Sequence, residues 1–338
     1  MTRRVLVTGA GGFIGSHFVA HLLVNTDWQI VTIDSWRHKG VSERLSLSEH
    51  YQKNKDRVEV FTHDLGAPIS NVLIDKLGKI DYIINFASES HVDRSIDDPV
   101  PFVENNVKLM LNILEYARKI KPWKFIQIST DEVYGPTGEE DTHPEWDPIL
   151  PSNPYSASKC AQEAIGISYW RTYGVPFVIV NVMNTFAETQ DKEKFIPLIM
   201  KKILKGEKVS IHYDAKTGKP GTRYWLHARN TADAVLFLLN KLDSNAILYP
   251  KISKPERFNI VGERRISNLE IAEKIAEIMG KKLDYELVDF HSGRPGHDPN
   301  YGLDGTRLAN LGYKFPVNLD KSLKKTVEWT MKHPEWLL

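Results

Sequence analysis

Tyr155 and Lys159 stand four residues apart in "YSASK". On a helix that spacing puts both side chains on one face, with Cβ atoms about 5–6 Å apart. An ammonium beside a phenol favours the phenolate, so Tyr155 is a candidate general base near neutral pH. Upstream, Thr130, Asp131 and Glu132 follow the apolar run "WKFIQI" (123–128). Close carboxylates push their pKa values apart, so one can keep a proton as an acid while the other works as a base. Alone, the two acids would equally suit a solvated loop, and the Tyr/Lys pair turns the reading toward catalysis.

These residues need elements to hold them. The run 123–128 is rich in β-branched and aromatic residues and reads as a buried strand ending in the polar cluster from Ser129 to Glu132. Polar groups at the carboxyl end of a parallel strand lie where open α/β sheets place their ligand crevice. Pro154 suits the first turn of the helix that would carry Tyr155 and Lys159. At the start of the chain, "RVLVTGAGGFIGSHF" gives a strand over 3–7, a glycine turn and a helix. Gly9, Gly12 and Gly15 have the spacing that tightens such a turn, admits a pyrophosphate to the helix N-terminus and lets the helix pack on the strand.

A second strand (28–34) ends at Asp34, 19 residues beyond Gly15, where an acid would bind the ribose hydroxyls of a dinucleotide and repel a 2′-phosphate. This favours NAD over NADP, although Arg37, His38 and Lys39 follow closely and an arginine there can accommodate the phosphate. Strands over 58–65 and 80–88 place Asp64 near an adenine and small Ala87 and Ser88 beside the passing cofactor. Helices over 102–120 and 155–173 and a strand over 175–182 complete an alternation typical of a doubly wound parallel sheet.

Beyond residue 184 the pattern changes. Helices are expected over 195–205, 231–242, 267–280 and 319–332, with Ser267 as a cap and Gly280 as a stop, and strands over 257–261 and in "LDYELVDF". "HYDAKTGKPGTRYWLHARN" and "SESHVDRSIDDP" read as polar loops. The expected fold is an α/β, Rossmann-type doubly wound sheet with a smaller, mainly C-terminal substrate-binding lobe. Residues 1–184 form the dinucleotide-binding domain, with 226–260 partly returning to it, and 185–225 and 261–338 form the substrate lobe. Lys194, Arg223 and Arg294 are its candidate anion contacts, since guanidinium groups meet phosphate oxygens as forks; each alone could be an idle surface residue.

Composition narrows the classes. At 338 residues the chain can bury a sizeable core, and a net charge of +1 supplies no field for nucleic acid. Cys160 is the single cysteine, which excludes an internal disulfide framework and agrees with a reducing compartment; it is most simply a small buried hydrophobe. His291 and His297 lack a metal-ligand spacing, so no metal is expected. The N-terminal stretch does not read as a signal peptide, and no apolar run approaches the roughly 20 residues of a membrane span.

Five stretches carry a resemblance that covers essentially the whole length: "ESHVDRSI" (89–96), "STDEVYG" (129–135), "NPYSASK" (153–159), "EKFIP" (193–197) and "RPGHD" (294–298). The chain resembles the extended short-chain dehydrogenase/reductases, and among them nucleotide-sugar 4,6-dehydratases similar to dTDP-glucose 4,6-dehydratase. Glycine turns and Tyr/Lys pairs are shared with 4-epimerases and reductases; the Thr130-Asp131-Glu132 triplet is selective for dehydratases.

The resemblance implies an NAD-dependent conversion of an NDP-glucose, dTDP- or UDP-linked, to the 4-keto-6-deoxy sugar. Tyr155 would take the 4-hydroxyl proton, with Lys159 lowering its pKa and holding the nicotinamide ribose, and Thr130 would bind the 4-oxygen. Glu132 would remove the C5 proton and Asp131 protonate the departing C6 hydroxyl. The implied NAD site comprises Gly9, Gly12, Phe13, Ile14, Gly15, Asp34, Asp64, Leu65, Ala87 and Ser88, with Tyr155 and Lys159. The implied nucleotide-sugar site comprises Ser90, His91, Asn184, Lys194, Phe195, Arg223, Arg294 and Tyr301.

A cytoplasmic homodimer is implied, joined through the helices 102–120 and 155–173 as a four-helix bundle. Departures from the family pattern fall at Leu109, at "NTFAET" (184–189), at Tyr224 in a lengthened segment, at Asn300 and at Ser35-Trp36-Arg37-His38. They bear on the nucleotide base and the sugar, and leave the elimination residues intact.

Overall fold

A computed structural model describes residues 2–37, 40–242, 254–290 and 298–337. Its centre is a seven-stranded parallel sheet. The strands β1 (Arg4–Thr8), β2 (Gln29–Asp34), β3 (Val58–Thr62), β4 (Tyr82–Asn85), β5 (Lys124–Thr130) and β6 (Phe177–Val182) are joined by the strand Glu256–Ile260 at one edge. From that edge the order is Glu256–Ile260, β6, β5, β4, β1, β2, β3. The order reverses beside β1, so the crevice opens at the carboxyl ends of β1 and β4.

Side chains of period two send alternate strand residues to opposite faces. Val5, Val7, Ile30, Ile84, Ile126, Val178 and Val180 pack with Phe18 and Leu22 of the helix Phe13–Asn25 and with Val235 and Leu239 of the helix Ala228–Lys241. Leu6, Val31, Ile33, Ile83, Phe125 and Ile179 pack on the other face with Met110, Ile113 and Leu114 of the helix Pro99–Ile120. Both faces are covered, which is why these strands read as nearly continuous apolar runs. A separate core gathers Ile199, Met200, Ile211, Ile271, Ile275, Leu323 and Val327 from the second half of the chain.

The fold corrects several expected boundaries. β5 extends through Ser129 and Thr130, and Asp131–Val133 forms a tight 3₁₀ turn, because Thr130 caps it by accepting from the Glu132 amide. The expected polar loop 88–99 contains a helix, Val92–Asp97, capped by His91. The expected loop 212–230 takes in the end of the strand Val209–Asp214 and the strands Lys219–Pro220 and Thr222–Tyr224; Val209–Asp214 pairs with Tyr285–Asp289 and Thr222–Tyr224 with Arg265–Ser267. Their polar, glycine-broken sequence hid pairing that depends on distant partners. Ser267 does cap its helix, accepting from the Glu270 amide at 3.0 Å, and Gly280 ends it with φ at +62°.

Beneath β5 and β6 lies a fully buried ion pair between Arg257 and Glu163, with Ser129 and Asn181 also donating to Glu163 and Arg257 donating to the Tyr134 hydroxyl at 3.0 Å. Removing one member leaves the other charge buried and uncompensated. Arg257→Met is therefore expected to destabilise the fold by about 3–5 kcal/mol, read as a lower denaturation midpoint in urea.

Candidate active site

Thr130 ends β5 and hands the chain to Asp131 and Glu132, while the helix Pro154–Tyr173 delivers Tyr155 and Lys159 against the same strand end. That helix starts where it does because Asn153 and Ser156 form a reciprocal capping box ahead of Pro154. The Thr130 hydroxyl donates to Asp131 Oδ1 at 3.0 Å and also hydrogen bonds with the Tyr155 side chain. Asn153 Nδ2 donates to Glu132 Oε2 at 3.2 Å. Thr130, Asp131, Glu132 and Tyr155 thus meet at the end of β5, with Lys159 one turn further along the Tyr155 helix.

Burial dominates the electrostatics. It pushes the Asp131 carboxyl up to about 7, helped by the Glu132 charge and opposed by the Thr130 hydrogen bond and by Arg223. Glu132 is also raised by burial, against the Asn153 hydrogen bond and the charges of Lys194 and Arg223. Asp131 Oδ2 is buried with no hydrogen-bond partner among the described residues, an oxygen open to a ligand hydroxyl. A neutral acid beside a carboxylate in a dry site is suited to delivering a proton to a leaving group.

The Tyr155 phenol is raised by burial and by the Glu132 and Asp131 charges, while the Thr130 hydrogen bond favours its ionisation. The sequence expectation assigned that favourable influence to Lys159. Instead, the Lys159 ammonium donates to the Ile128 carbonyl at 2.8 Å and to Gln162 Oε1 at 2.7 Å. Burial lowers its pKa to about 8, with Glu163 holding it up. An ammonium has three donors, so the third remains for a ligand oxygen.

Behind Lys159 runs a buried amide ladder that sequence reasoning missed. Gln162 Nε2 donates to the Asn106 carbonyl at 2.8 Å, Gln127 Nε2 donates to Gln162 Oε1 at 3.0 Å, and Asn85 Nδ2 donates to Gln127 Oε1 at 2.7 Å. The Thr8 hydroxyl closes it on Asn85. The available signal was the polar Asn85 and Gln127 inside apolar strands, since buried amides persist only when satisfied.

Apart from Tyr155 and Lys159, the residues nominated for a dinucleotide follow the ends of β1, β2, β3 and β4. Gly9, at φ +66°, would bring a Cβ within 2.8 Å of the Ala87 amide nitrogen, and a Cβ at Gly15 would meet the Gly9 carbonyl at 2.3 Å. Gly12 caps the helix Phe13–Asn25 without a side chain, leaving its first amides, including those of Phe13 and Ile14, open to an anion. Asp34 accepts from the Gly11 amide at 2.8 Å and the Trp36 amide at 2.9 Å, and its remaining lone pairs can take hydroxyl donors. Asp64 pairs with Arg37 at 2.8 Å, next to buried Leu65. The Ser88 hydroxyl donates to the Glu89 carbonyl at 3.0 Å. These features fit a dinucleotide.

On the opposite side, Lys194 and Arg223 converge on Glu132, and burial lowers the lysine. Lys194 Nζ donates to the Ser90 carbonyl at 3.1 Å, and His91 lies 3.2 Å from Glu193. Arg223 donates to the carbonyls of Thr222, Pro299 and Asp298, and its guanidinium lies 4.7 Å from the centre of the Tyr301 ring. Phe195 packs against Trp225 at 5.4 Å between ring centres, and Asn184 Oδ1 is buried with no partner among the described residues. Arg294 lies outside the described residues, as do His291 and His297.

A family model described as GDP-mannose 4,6 dehydratase matches residues 6–326. The low-salt glycan biosynthesis protein Agl12 of Haloferax volcanii is 34% identical over 98% of this chain and 99% of its own length. The dTDP-glucose 4,6-dehydratase of Salmonella typhimurium is 32% identical over 99% of this chain and 94% of its own. Among solved structures, dTDP-glucose 4,6-dehydratase from Streptomyces venezuelae with NAD and TYD bound superposes with a TM-score of 0.84, at 29% identity over 98% of both chains. UDP-glucose 4-epimerase of Thermus thermophilus in complex with NAD superposes at 0.80, with 25% identity over 96% of this chain and 98% of that one. With its Rossmann-type sheet and a family match spanning nearly its whole length, the chain belongs to the GDP-mannose 4,6 dehydratase family.

Proposed function

We propose that the protein is an NAD-dependent nucleotide-sugar 4,6-dehydratase that converts an NDP-glucose, dTDP- or UDP-linked, to NDP-4-keto-6-deoxyglucose and water. The observation that carries this reading is Asp131, raised to about 7, beside Glu132 held by an amide donor, within reach of Tyr155 through Thr130. A 4-epimerase needs the tyrosine and the cofactor but has no elimination for two carboxyl groups to perform.

NAD, when bound, would accept hydride from C4 and return it to C6, so that it is regenerated in each turnover. Its pyrophosphate would lie at the open amides after Gly12, its adenosine by Asp34, Asp64 and Leu65, and its nicotinamide ribose on the free donor of Lys159. The Arg37–Asp64 pair supports NAD over NADP, because it occupies the nearby guanidinium that a 2′-phosphate would need.

Tyr155, whose ionisation the Thr130 hydrogen bond favours against its burial, takes the proton of the 4-hydroxyl while Thr130 holds the 4-oxygen. The C4 ketone acidifies the C5 proton, which Glu132 removes. Asp131 gives its proton to the C6 hydroxyl, which leaves as water, and a proton then returns to C5. Ser90, His91, Asn184, Lys194, Phe195, Arg223, Arg294 and Tyr301 would hold the nucleotide diphosphate and sugar, so 185–225 and 261–338 serve as the substrate lobe. The helices Pro99–Ile120 and Pro154–Tyr173 already pack together, with the Tyr169 hydroxyl donating to Glu115 at 2.6 Å, and would form the four-helix bundle of a cytoplasmic homodimer.

Incubation with dTDP-glucose and with UDP-glucose, followed by mass spectrometry, is expected to give a product lighter by one water. Unchanged mass from every hexose nucleotide offered, N-acetyl sugars included, would end this reading, and a changed C4 configuration at constant mass would replace it with epimerisation.

A further inference from the structure

Asn153 does two jobs with one amide. Its Oδ1 accepts from the Ser156 backbone amide at 2.9 Å, capping the helix that carries Tyr155, and its Nδ2 donates to Glu132 Oε2 at 3.2 Å. The two ends are not interchangeable. A helix N-terminus presents N–H groups, so the cap must use the oxygen, and the NH₂ is thereby left facing Glu132. Such a group can donate but not accept: it stabilises a carboxylate and has nothing to offer the O–H of a carboxylic acid.

Asp131 has no side-chain amide beside it; a hydroxyl that the Tyr155 side chain shares and its own backbone amide favour its ionisation instead. Its Oδ1 accepts from the neighbouring Thr130 hydroxyl, and its Oδ2 is buried without a partner among the described residues. Adjacent buried carboxyls compete for one proton, and the one with the fixed amide donor gives it up. We propose that Asn153 is a positioning residue that makes Glu132 the base and Asp131 the acid, and ties that choice to the same helical turn that places Tyr155. This rests on the dehydratase reading.

The other groups acting on Glu132 are divided. Asp298 opposes its ionisation and Lys194 and Arg223 favour it, while the Glu132 charge in turn raises Asp131, Tyr155 and Tyr301. Among the interactions opposing burial of Glu132, the Asn153 hydrogen bond is the largest.

The test compares the full-length wild type with Asn153→Ser and Asn153→Asp. All three residue types are good helix caps, so the helix should survive in both variants, which thermal unfolding checks. Serine is too short to reach Glu132, and aspartate sets a second carboxylate against Oε2. A base must be ionised to work, so loss of the donor raises its pKa and moves the acidic limb of kcat/KM for water loss to higher pH. The expected shift is about one pH unit in Asn153→Ser, as for a charge-assisted hydrogen bond, and larger in Asn153→Asp. Exchange of the C5 hydrogen with solvent should show the same displaced limb. Water loss with an unmoved limb in both variants would overturn the proposal alone. A wild type that releases no water would overturn the dehydratase reading and this proposal with it.

Discussion

Glu132→Gln is expected to abolish water loss, with kcat falling roughly 10²–10⁴-fold, the usual contribution of a positioned general base. Glutamine can still accept from Asn153 Nδ2, so the geometry around Oε2 is kept while the proton acceptor is gone. In the proposed mechanism the first oxidation uses Tyr155 and Thr130, and Glu132 is not among the residues proposed to hold the dinucleotide. The variant should therefore retain NAD and oxidise C4 of the sugar. Incubation in deuterium oxide with mass spectrometry of recovered sugar separates the steps: wild type should exchange C5, and the variant should not. Ordinary C5 exchange in Glu132→Gln would remove this residue from the role of base.

Asp131→Asn tests the other half of the elimination. Asparagine can accept from the Thr130 hydroxyl as Asp131 Oδ1 does at 3.0 Å, so the change removes chiefly the transferable proton. C5 exchange should continue, because Glu132 is untouched, while loss of the C6 hydroxyl falls roughly 10²–10⁴-fold. The 4-keto hexose should then accumulate carrying solvent deuterium at C5. The pH profile gives an independent check. An acid works only while protonated, and Asp131 sits at about 7, so wild-type kcat/KM should decline as pH rises through that value. In the variant that limb should vanish, leaving a later decline near 8 as Lys159 loses its proton. A wild-type rate, or an alkaline limb that stays near 7, would rule out Asp131 as the proton donor.

In the proposed mechanism two similar carboxyls take different roles. Both are acidic, adjacent and raised by burial, so nothing in their identity distinguishes them. Their partners do: Thr130 on one, and an amide fixed by its duty as a helix cap on the other. Arg223 illustrates the same point at the substrate side. Sequence nominated it as an anion contact, and in the fold it is braced by three backbone carbonyls and the Tyr301 ring, so a guanidinium there is already oriented before any ligand arrives.

The sheet and the placing of Tyr155 and Lys159 on one helix were legible because they rest on local patterns. β1, β2, β4, β5 and β6 are short apolar runs bounded by glycine, proline or polar residues, and Tyr155 and Lys159 have helical spacing after Pro154. The strands within 209–224 were not legible, since their sequence is polar and their partners lie at 265–267 and 285–289. Nor was the amide ladder through Asn85, Gln127 and Gln162, whose members come from separate elements.

Sequence by itself determined which groups are present and which elements carry them, because turn chemistry and hydrophobic period act over a few residues. Tertiary structure alone decided the surroundings that shift their protonation. Burial and hydrogen-bond partners set a pKa, and both come from parts of the chain that meet only on folding: Asn153 on Glu132, Gln162 on Lys159, and the closed surroundings that leave Asp131 Oδ2 without a partner among the described residues and push its carboxyl up to about 7.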